Sequence, residues 1–568
     1  MQSATDKDDY KGMGNIQNHI PSLAWIPNYK TAWLKYDSIA GLTTAAVVIP
    51  QAMAYATIAG LPVQVGMYAA LFPMIVYAFL GTSRVLSVSV TSTISILAAS
   101  ALASAVGNTS SNQYLTAAAT LALLTGIFLI LGGVFRLGVL ANLISQPVLT
   151  GFKAGVGIMI FIDQLPKVLG LTIPKGSTFA TLENLLSQLS NINRLTFGLS
   201  AFTLAVLLLV PRFSKKIPAA LLAVAFAIAL SMLFALGTKG VSLVGTVPSG
   251  LPSLSIPSLD LVGELWKGAL GIAVMSFTES IAAARAFVVK TDPPIDANQE
   301  LIALGFANIG GAFTQAYTGG GGTSQTAVNR DAGAKTQISG IVTALTVALV
   351  LLFLSGLIAQ MPNAALGAIV LLAAIGLVNL REFKDVLKFS KVEFAWALIA
   401  TIGVVSLGTL NGIFLAVIIS IITILYQSSY PPLYQLARKP GSDVFRRLSH
   451  LHPNDEVLPG LLMIRTEGRL HFASAPNIKD KVLSLVAETK PKVVAFEMAA
   501  VPDIEFTAFQ MLNDFYDDLA DNDVELWLIA LNQLPLEEVR KTELGVKLTN
   551  KRMFFTMSEA FEAYKNRA

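Results

Sequence analysis

Charged residues disappear from this chain for long stretches. None stands between Asp37 and Arg84, between Arg84 and Arg136, between Lys216 and Lys239, between Lys335 and Arg381, or between Glu393 and Arg438. Such runs are too apolar to be loops in water. One bilayer crossing takes about 20 apolar residues as a helix, so the longer runs each hold two crossings joined by a short turn. Gly60-Leu61-Pro62, Gly107-Asn108-Thr109, Met361-Pro362-Asn363 and Leu410-Asn411-Gly412 supply those turns. The pattern predicts about fourteen spans: 40–58, 65–81, 86–104, 114–135, 138–162, 195–212, 217–237, 264–288, 297–317, 322–334, 336–360, 365–380, 393–409 and 412–428.

The pattern changes towards the carboxyl terminus, where residues 444–568 hold 34 of the 76 charged side chains. Apolar β-type runs at Leu461–Ile464, Val493–Phe496 and Val524–Leu531 alternate there with helical patterns at 476–489 and 506–520, the signature of a small α/β domain. The chain therefore divides into an N-terminal segment (1–36), a membrane domain (37–430), a linker (431–456) and an α/β domain (457–568). The acidic run Asp514, Asp517, Asp518, Asp521, Asp523 and Glu525 reads as a solvated face rather than a metal site.

With 54% hydrophobic and 13% charged residues over 568, and a mean hydropathy of +0.62, a fibrous, disordered or nucleic-acid-binding protein is excluded. The absence of cysteine removes disulfides and thiolate chemistry. His19, His450, His452 and His471 all lie outside the predicted spans, so no membrane histidine site is expected. Gly333-Ala334-Lys335-Thr336 lacks the glycine and strand of a phosphate loop. The chain is thus expected to be no enzyme, to need no cofactor or metal, and to draw on a gradient. With the amino terminus inside, the inner loops hold Arg84, Arg136, Arg212, Lys215, Lys216, Arg285, Lys290, Arg330, Lys335, Arg381, Lys384, Lys388 and Lys391. The outer side holds Lys167, Lys175, Arg194, Lys239 and Lys267. That asymmetry orients the chain with both termini in the cytoplasm. Asn108-Thr109-Ser110 matches a glycosylation sequon in a loop too short to use it.

Candidate chemistry lies where polar residues interrupt the spans. Pro50-Gln51-Ala52-Met53-Ala54-Tyr55 places Gln51 and Tyr55 on one helical face, and Thr278-Glu279-Ser280 recurs in the eighth span at an offset of 228. The hydroxyl cluster at 87–93, containing Thr91 and Ser92, opens the third span. Gly319–Gly322 followed by Thr323, Ser324 and Gln325 opens the tenth, with Thr91 and Thr323 offset by 232. Two similar offsets indicate a duplicated unit of seven spans. Both clusters suit broken helices whose amino ends face each other and bind an anion through free N–H groups. The competing reading is that small and hydroxyl residues only pack helices. Glu279 is the only acidic residue deep in a predicted span. Its expected role is proton coupling, because a neutralised carboxylate stops repelling an anion; the alternative is an ion pair with Arg285 or Lys153.

The motifs Pro50-Gln51-x-x-Ala54-Tyr55, Thr278-Glu279-Ser280, Asn308-Ile309-Gly310-Gly311 and Ser324-x-Thr326-Ala327-Val328-Asn329, ahead of an α/β domain, resemble the sulfate permease (SulP) family of anion transporters, relatives of pendrin and prestin. The resemblance covers residues 20–568. It implies an α-helical membrane protein of fourteen segments in a 7+7 inverted repeat, divided into a core (spans 1–4 and 8–11) and a gate (5–7 and 12–14). It further implies a homodimer in the plasma membrane and a cytoplasmic sulfate transporter and anti-sigma-factor antagonist (STAS) domain, whose signature matches Asp503 to Ala508. Gln51, Tyr55, Thr91 and Ser324 match the family's anion pocket, and Glu279 its proton-coupling carboxylate. The chain departs from its relatives at Ser89-Val90, often glycine-proline, at Gln325, in many an arginine, and at Phe506-Thr507-Ala508. Thr507 is expected to be either a phosphorylation switch or a buried helix cap.

Proton-coupled sulfate symport is the leading expectation. Bicarbonate or dicarboxylate transport and anion exchange are the alternatives within transport, and an anion-responsive sensor, motor or channel the alternatives outside it.

Overall fold

The structure, a computed structural model, describes residues 20–106, 111–142, 145–173, 178–213, 218–549 and 551–567. The expected turn and sequon at 107–110, together with His19, Lys175, Lys215 and Lys216, lie outside the described residues. The chain forms two compact units, residues 1–420 and 421–568.

Each of the fourteen apolar tracts holds a helix. After a turn at Ser22–Trp25 (α1), the first repeat runs through Trp33–Ile58 (α2), Val63–Ala69 (α3), Phe72–Leu80 (α4), a two-residue strand Val88–Ser89 (β1), Ser92–Val106 (α5), Ser111–Val134 (α6), Gln146–Leu169 (α7), Thr178–Ser187 (α8), Arg194–Phe213 (α9) and Ala219–Phe234 (α10). The second comprises Val262–Ala286 (α11), Ala297–Phe313 (α12), the strand Gly320–Gly321 (β2), Thr323–Asp331 (α13), Ile338–Phe353 (α14), Ser355–Ala359 (α15), Asn363–Leu377 (α16), Leu380–Phe389 (α17), Lys391–Leu407 (α18) and Thr409–Ser429 (α19). Among the described residues, seven helical segments are long and apolar enough to cross a membrane alone. One of the seven, Val63–Leu80 in the second predicted span, is broken within its length, because Leu71 leaves helical geometry and Pro73 starts a fresh helix in its first turn. Residues 178–187 and 380–389, expected as connections, are helical. The second of these is capped by Asn379, whose side chain accepts from the N–H groups of Arg381 and Glu382.

Glycines set which helices pair. A Cβ on Gly126 of α6 would sit 2.6 Å from the Gly305 carbonyl of α12, and one on Gly305 would sit 2.8 Å from that of Gly126. On α7, Gly151 lies against the Ala397 carbonyl and Gly155 against Val404, both on α18, while Gly157 lies against Ala374 of α16. Spans 4 and 9 thus pack within one body, and spans 5, 12 and 13 within the other, the division into core and gate.

The second unit carries a six-stranded sheet of Leu433–Arg438 (β3), Phe445–Arg447 (β4), Leu461–Thr466 (β5), Val493–Glu497 (β6), Glu525–Ile529 (β7) and Met553–Phe554 (β8), in the order β4-β3-β5-β6-β7-β8. The strands from β5 to β8 are parallel, and β3 is antiparallel to both its neighbours. The expected linker at 431–456 is corrected: it carries β3 and β4. The segment alternates too weakly to announce strands, and its pairing with β5 defines it. Helices Ala475–Thr489 (α20) and Phe506–Ala520 (α21) match the predicted patterns. Of the acidic run, Asp517 pairs with Lys547 at 2.7 Å and Asp518 with Lys479 at 2.5 Å, while Glu525 meets Arg552 and Arg567. Thr507 is exposed at the second position of α21 and Glu505 occupies the cap, so the expected buried cap at Thr507 is corrected.

Candidate functional site

The two hydroxyl clusters meet. β1 pairs antiparallel with β2, Val88 opposite Gly321 and Ser89 opposite Gly320, so the chain leaves the pair into α5 and α13 in opposite directions with their amino ends side by side. At 1.5 Å per residue the 15 residues of α5 and 9 of α13 rise about 22 and about 14 Å. Neither crosses a hydrocarbon layer of about 30 Å alone; end to end they do. Free N–H groups and the positive ends of two helix dipoles are thereby held at the break.

The glycine run permits this crossing. A Cβ on Gly319 would lie 2.7 Å from the Ser89 carbonyl, and one on Gly320 would lie 2.7 Å from Ser276 Oγ and 2.8 Å from Ile94 Cδ1. Polar side chains then fix the strand. Gly319 N–H donates to Asn308 Oδ1 at 2.9 Å, and Asn308 Nδ2 donates back to the Gly319 carbonyl at 3.2 Å. Ser276 donates to the same carbonyl, and Gly321 N–H donates to Ser280 Oγ at 2.6 Å.

Four candidate segments are buried except where the candidate residues open them. From Val48 to Ala56 only Gln51 is not buried, from Val85 to Ala98 only Thr91, and from Met275 to Ile281 only Glu279. Ala316–Gly322 is buried and Thr323 and Ser324 are exposed immediately after it. Thr91 Oγ1 donates to Glu279 Oε2 at 3.0 Å and caps its own helix by accepting from Ile94 N–H at 3.3 Å. Tyr55, buried one turn beyond Gln51, lies within reach of Ser92 and Glu279. Gln51 Oε1 is buried and has no hydrogen-bond partner among the described residues. An amide with unused capacity at such an opening is ready for a ligand.

Gln325 stands differently. It is buried, its Oε1 accepts from Ser89 Oγ at 2.7 Å and its Nε2 donates to the Val90 carbonyl at 3.2 Å. Both ends of its amide are spent on joining the two half-helices, so Gln325 positions the site. Two of the three departures from the relatives' pattern, Ser89-Val90 and Gln325, are therefore one hydrogen-bonded unit. Ser92 is buried at the first position of α5.

Sequence reasoning missed Tyr317, whose hydroxyl sits 2.7 Å from Ser95 Oγ, and the Ser276–Ser280 ladder. The spacing of four between those serines, one helical face, was the available signal. It also missed Glu300, a second carboxylate buried in a spanning helix. Glu300 accepts from Tyr77 Oη at 2.8 Å, Thr82 N–H at 2.7 Å, Thr82 Oγ1 at 2.6 Å and Ser83 N–H at 3.3 Å, a structural clamp with its lone pairs filled.

A family model described as the sulfate permease family matches residues 34–400, and one described as the STAS domain matches residues 452–560. A protein of Mycobacterium tuberculosis described as a "Probable sulfate transporter" is 34% identical over 559 residues, covering 96% of this chain and 99% of its own. The "High affinity sulfate transporter 2" of Stylosanthes hamata is 30% identical over 576 residues, covering 97% and 87%. Among solved structures, the murine Solute Carrier 26 family member A9 anion transporter in its inward-facing state superposes with a TM-score of 0.89 at 21% identity, over 100% of this chain and 96% of that one. The transmembrane domain of the cyanobacterial bicarbonate transporter BicA gives 0.61 at 24% identity, over 68% and 98%. At those identities the two structures speak for the fold alone.

Proposed function

The chain belongs to the sulfate permease family of multi-pass anion transporters, and from that premise we propose that it carries sulfate or a similar oxyanion into the cell together with protons. The observation that carries this reading is the burial pattern around two paired helix amino ends. Gln51, Thr91 and Glu279 are the less buried positions of otherwise buried segments, Thr91 bonds Glu279, and Thr91, Thr323 and Ser324 stand at the two amino ends that β1 and β2 hold side by side. Hydroxyl donors and peptide N–H groups suit a tetrahedral oxyanion, and each dipole contributes roughly half a positive charge.

Glu279 supplies the coupling. Near a protein surface two unit charges about 4 Å apart interact by about 4 kcal/mol, and a divalent anion doubles that figure. An ionised carboxylate at the rim therefore opposes the anion, and a protonated one donates to it. Proton and anion binding favour each other reciprocally, and movement of core against gate then carries both across. A plasma-membrane location with both termini inside, supported by the lysine and arginine asymmetry, and assembly as a homodimer belong to the same reading.

The test is uptake of labelled sulfate into proteoliposomes with and without an inward proton gradient. Wild-type uptake is expected to rise with the gradient, and Glu279→Gln is expected to bind sulfate yet lose the stimulation. Uptake indifferent to the gradient and unchanged by the substitution defeats the coupling. A panel of sulfate, bicarbonate, chloride, nitrate and fumarate as thermal stabilisers ranks the substrates.

A further inference from the structure

The openings described above all lie on the core, and the gate carries one of the same kind. From Val148 to Gly157 on α7 every residue is buried except Lys153, the position at which a cation stands within a spanning helix. Its direction follows from helical phase. Gly151 and Gly155, two residues to either side and so on the opposite face, lie against α18 of the gate, and Gly157, one turn on, packs one flank of the lysine's own face against α16. Ile160, Gln164 and Lys167, at seven, eleven and fourteen residues beyond Lys153, continue its stripe. Those three residues, with Asp163 of the same helix, line a cavity of about 480 Å³ whose facing wall includes Thr57 of α2 and Ile96 and Ser100 of α5. Two turns before Ile160 on the same stripe stands Lys153, within electrostatic reach of Glu279. Among the described residues Lys153 forms no hydrogen bond and no ion pair within 4 Å, and Glu279 is bonded to Thr91. An ammonium kept in a spanning helix without a contact partner faces water or a ligand.

We propose that Lys153 is the cation that meets the transported oxyanion from the gate side, exchanging the field of the Glu279 carboxylate for that of the anion when Glu279 takes up a proton. The inference rests on the proton-coupled reading above and deepens it. With Gln325 neutral and its amide spent, the half-helices offer dipoles but no full charge, and a divalent anion needs one. In the empty site Lys153 and Glu279 balance each other across the core–gate boundary. Adding a proton to Glu279 removes the negative charge and leaves Lys153 to a phosphate-like or sulfate-like dianion, the only bond formed being O–H on the carboxyl group. The two bodies are then linked by the substrate instead of by the protein's own charges, which ties occupancy to their relative movement.

Other charges are otherwise engaged or placed. On the elements packed against α11, Glu300 of α12 is held by Tyr77, Thr82 and Ser83, and Arg330 of α13 is paired with Asp292; α5 and α6 carry no charge. Tyr55 is the further titratable group that faces Glu279, and Tyr317 is bonded to Ser95. Around α7, Arg194 and Arg212 of α9 and Lys391 and Glu393 of α18 sit towards helix ends, Glu183 sits midway along α8, and Asp163 and Lys167 of α7 itself line the cavity. Glu382 of α17 accepts from Thr150 Oγ1 at 3.0 Å, one turn from Lys153, and from Asn379 Nδ2 at 2.7 Å.

The experiment measures sulfate binding and thermal unfolding of the purified full chain, in acid and at neutral pH, for wild type, Lys153→Gln, Lys153→Arg, Glu279→Gln, Glu382→Gln and the pairs that combine Lys153→Gln with Glu279→Gln or with Glu382→Gln. Lys153→Gln is expected to weaken sulfate at least roughly tenfold, Lys153→Arg to restore most of it, and Glu279→Gln to bind without needing acid. Without anion at neutral pH, the Lys153 and Glu279 substitutions are expected to be non-additive in stability, while Lys153 and Glu382 substitutions add. Should Lys153→Gln not fold, Lys153→Met makes the same comparison. Wild-type affinity and pH profile in a folded Lys153→Gln would overturn this inference alone, as would coupling to Glu382 in place of Glu279. A wild type that binds no oxyanion at either pH would defeat the proposed function and the exchange with it.

Discussion

Asn308 binds one glycine through both halves of its amide, and that single contact fixes where the second half-helix starts. Replacing it with alanine leaves the Gly319 N–H without a partner, while the Gly319 carbonyl keeps Ser276. A buried donor left unsatisfied costs about 1–3 kcal/mol. Asn308→Ala is therefore expected to lower the melting temperature and to weaken sulfate binding together, as read by thermal unfolding with and without the anion. Unchanged binding in a destabilised variant would mean that the clamp serves folding alone. The contrast with Glu279 is instructive. Both residues stand in motifs visible in the sequence, but only the fold distinguishes a polar side chain with all its bonds made from one that opens to water.

At the scale of elements, the candidate site lies where the amino ends of two short helices meet, and they can meet there because four consecutive glycines remove side chains where backbones cross. Gly320→Ala adds a methyl group 2.7 Å from Ser276 Oγ and 2.8 Å from Ile94 Cδ1. Overpacking of this kind costs about 1–3 kcal/mol, and relief by spreading β1 from β2 would part the two amino ends. Expected are a less stable protein and a loss of sulfate affinity greater than that of an alanine at Gly198, which has open space around it. The helix positions themselves were legible, because charge-free runs and turn residues are local signals. The break at Leu71, the helix at Leu380–Phe389 and the strands at 433–447 were not. Each depends on what the segment packs or pairs against, and a short amphipathic piece is ambiguous until its partner is present.

The whole molecule is two units with separate hydrophobic cores, so unfolding is expected to proceed in two transitions with different levers. Sulfate at a hundredfold excess over its dissociation constant should raise the membrane unit by about 2.7 kcal/mol and leave the other unmoved. Acid should act on the second unit. There the Arg446 guanidinium, bonded twice to Asp455 at 2.8 Å, holds that carboxyl below its usual range. A depressed folded-state value contributes stability above the unfolded value of about 3.9 and loses it as pH falls through the folded one. Below about pH 4 the second transition is expected to decline, and Arg446→Gln to reduce that decline. Hydrogen exchange of β5 and β6 in the full chain reports it directly, and equal acid sensitivity in wild type and variant would count against the pair.

Burial in lipid and backbone satisfaction act on every residue of a span, so hydropathy was enough to determine the membrane class, the number of apolar tracts and the identity of Gln51, Tyr55, Thr91 and Glu279 as polar interruptions, and the offsets between those interruptions pointed to the duplicated unit. Which of those interruptions face one another depends on contacts 188 or more residues apart in the chain, and no local pattern encodes the register of two antiparallel dipeptides. Tertiary structure alone therefore decided that Gln325 is bound to Ser89 and Val90, that Glu300 is enclosed and satisfied, and that Lys153, named from the sequence only as a possible ion-pair partner of Glu279, is the one residue of 148–157 that is not buried. Distance and exposure decide whether a charge is a strut or a ligand, and both are properties of the folded molecule.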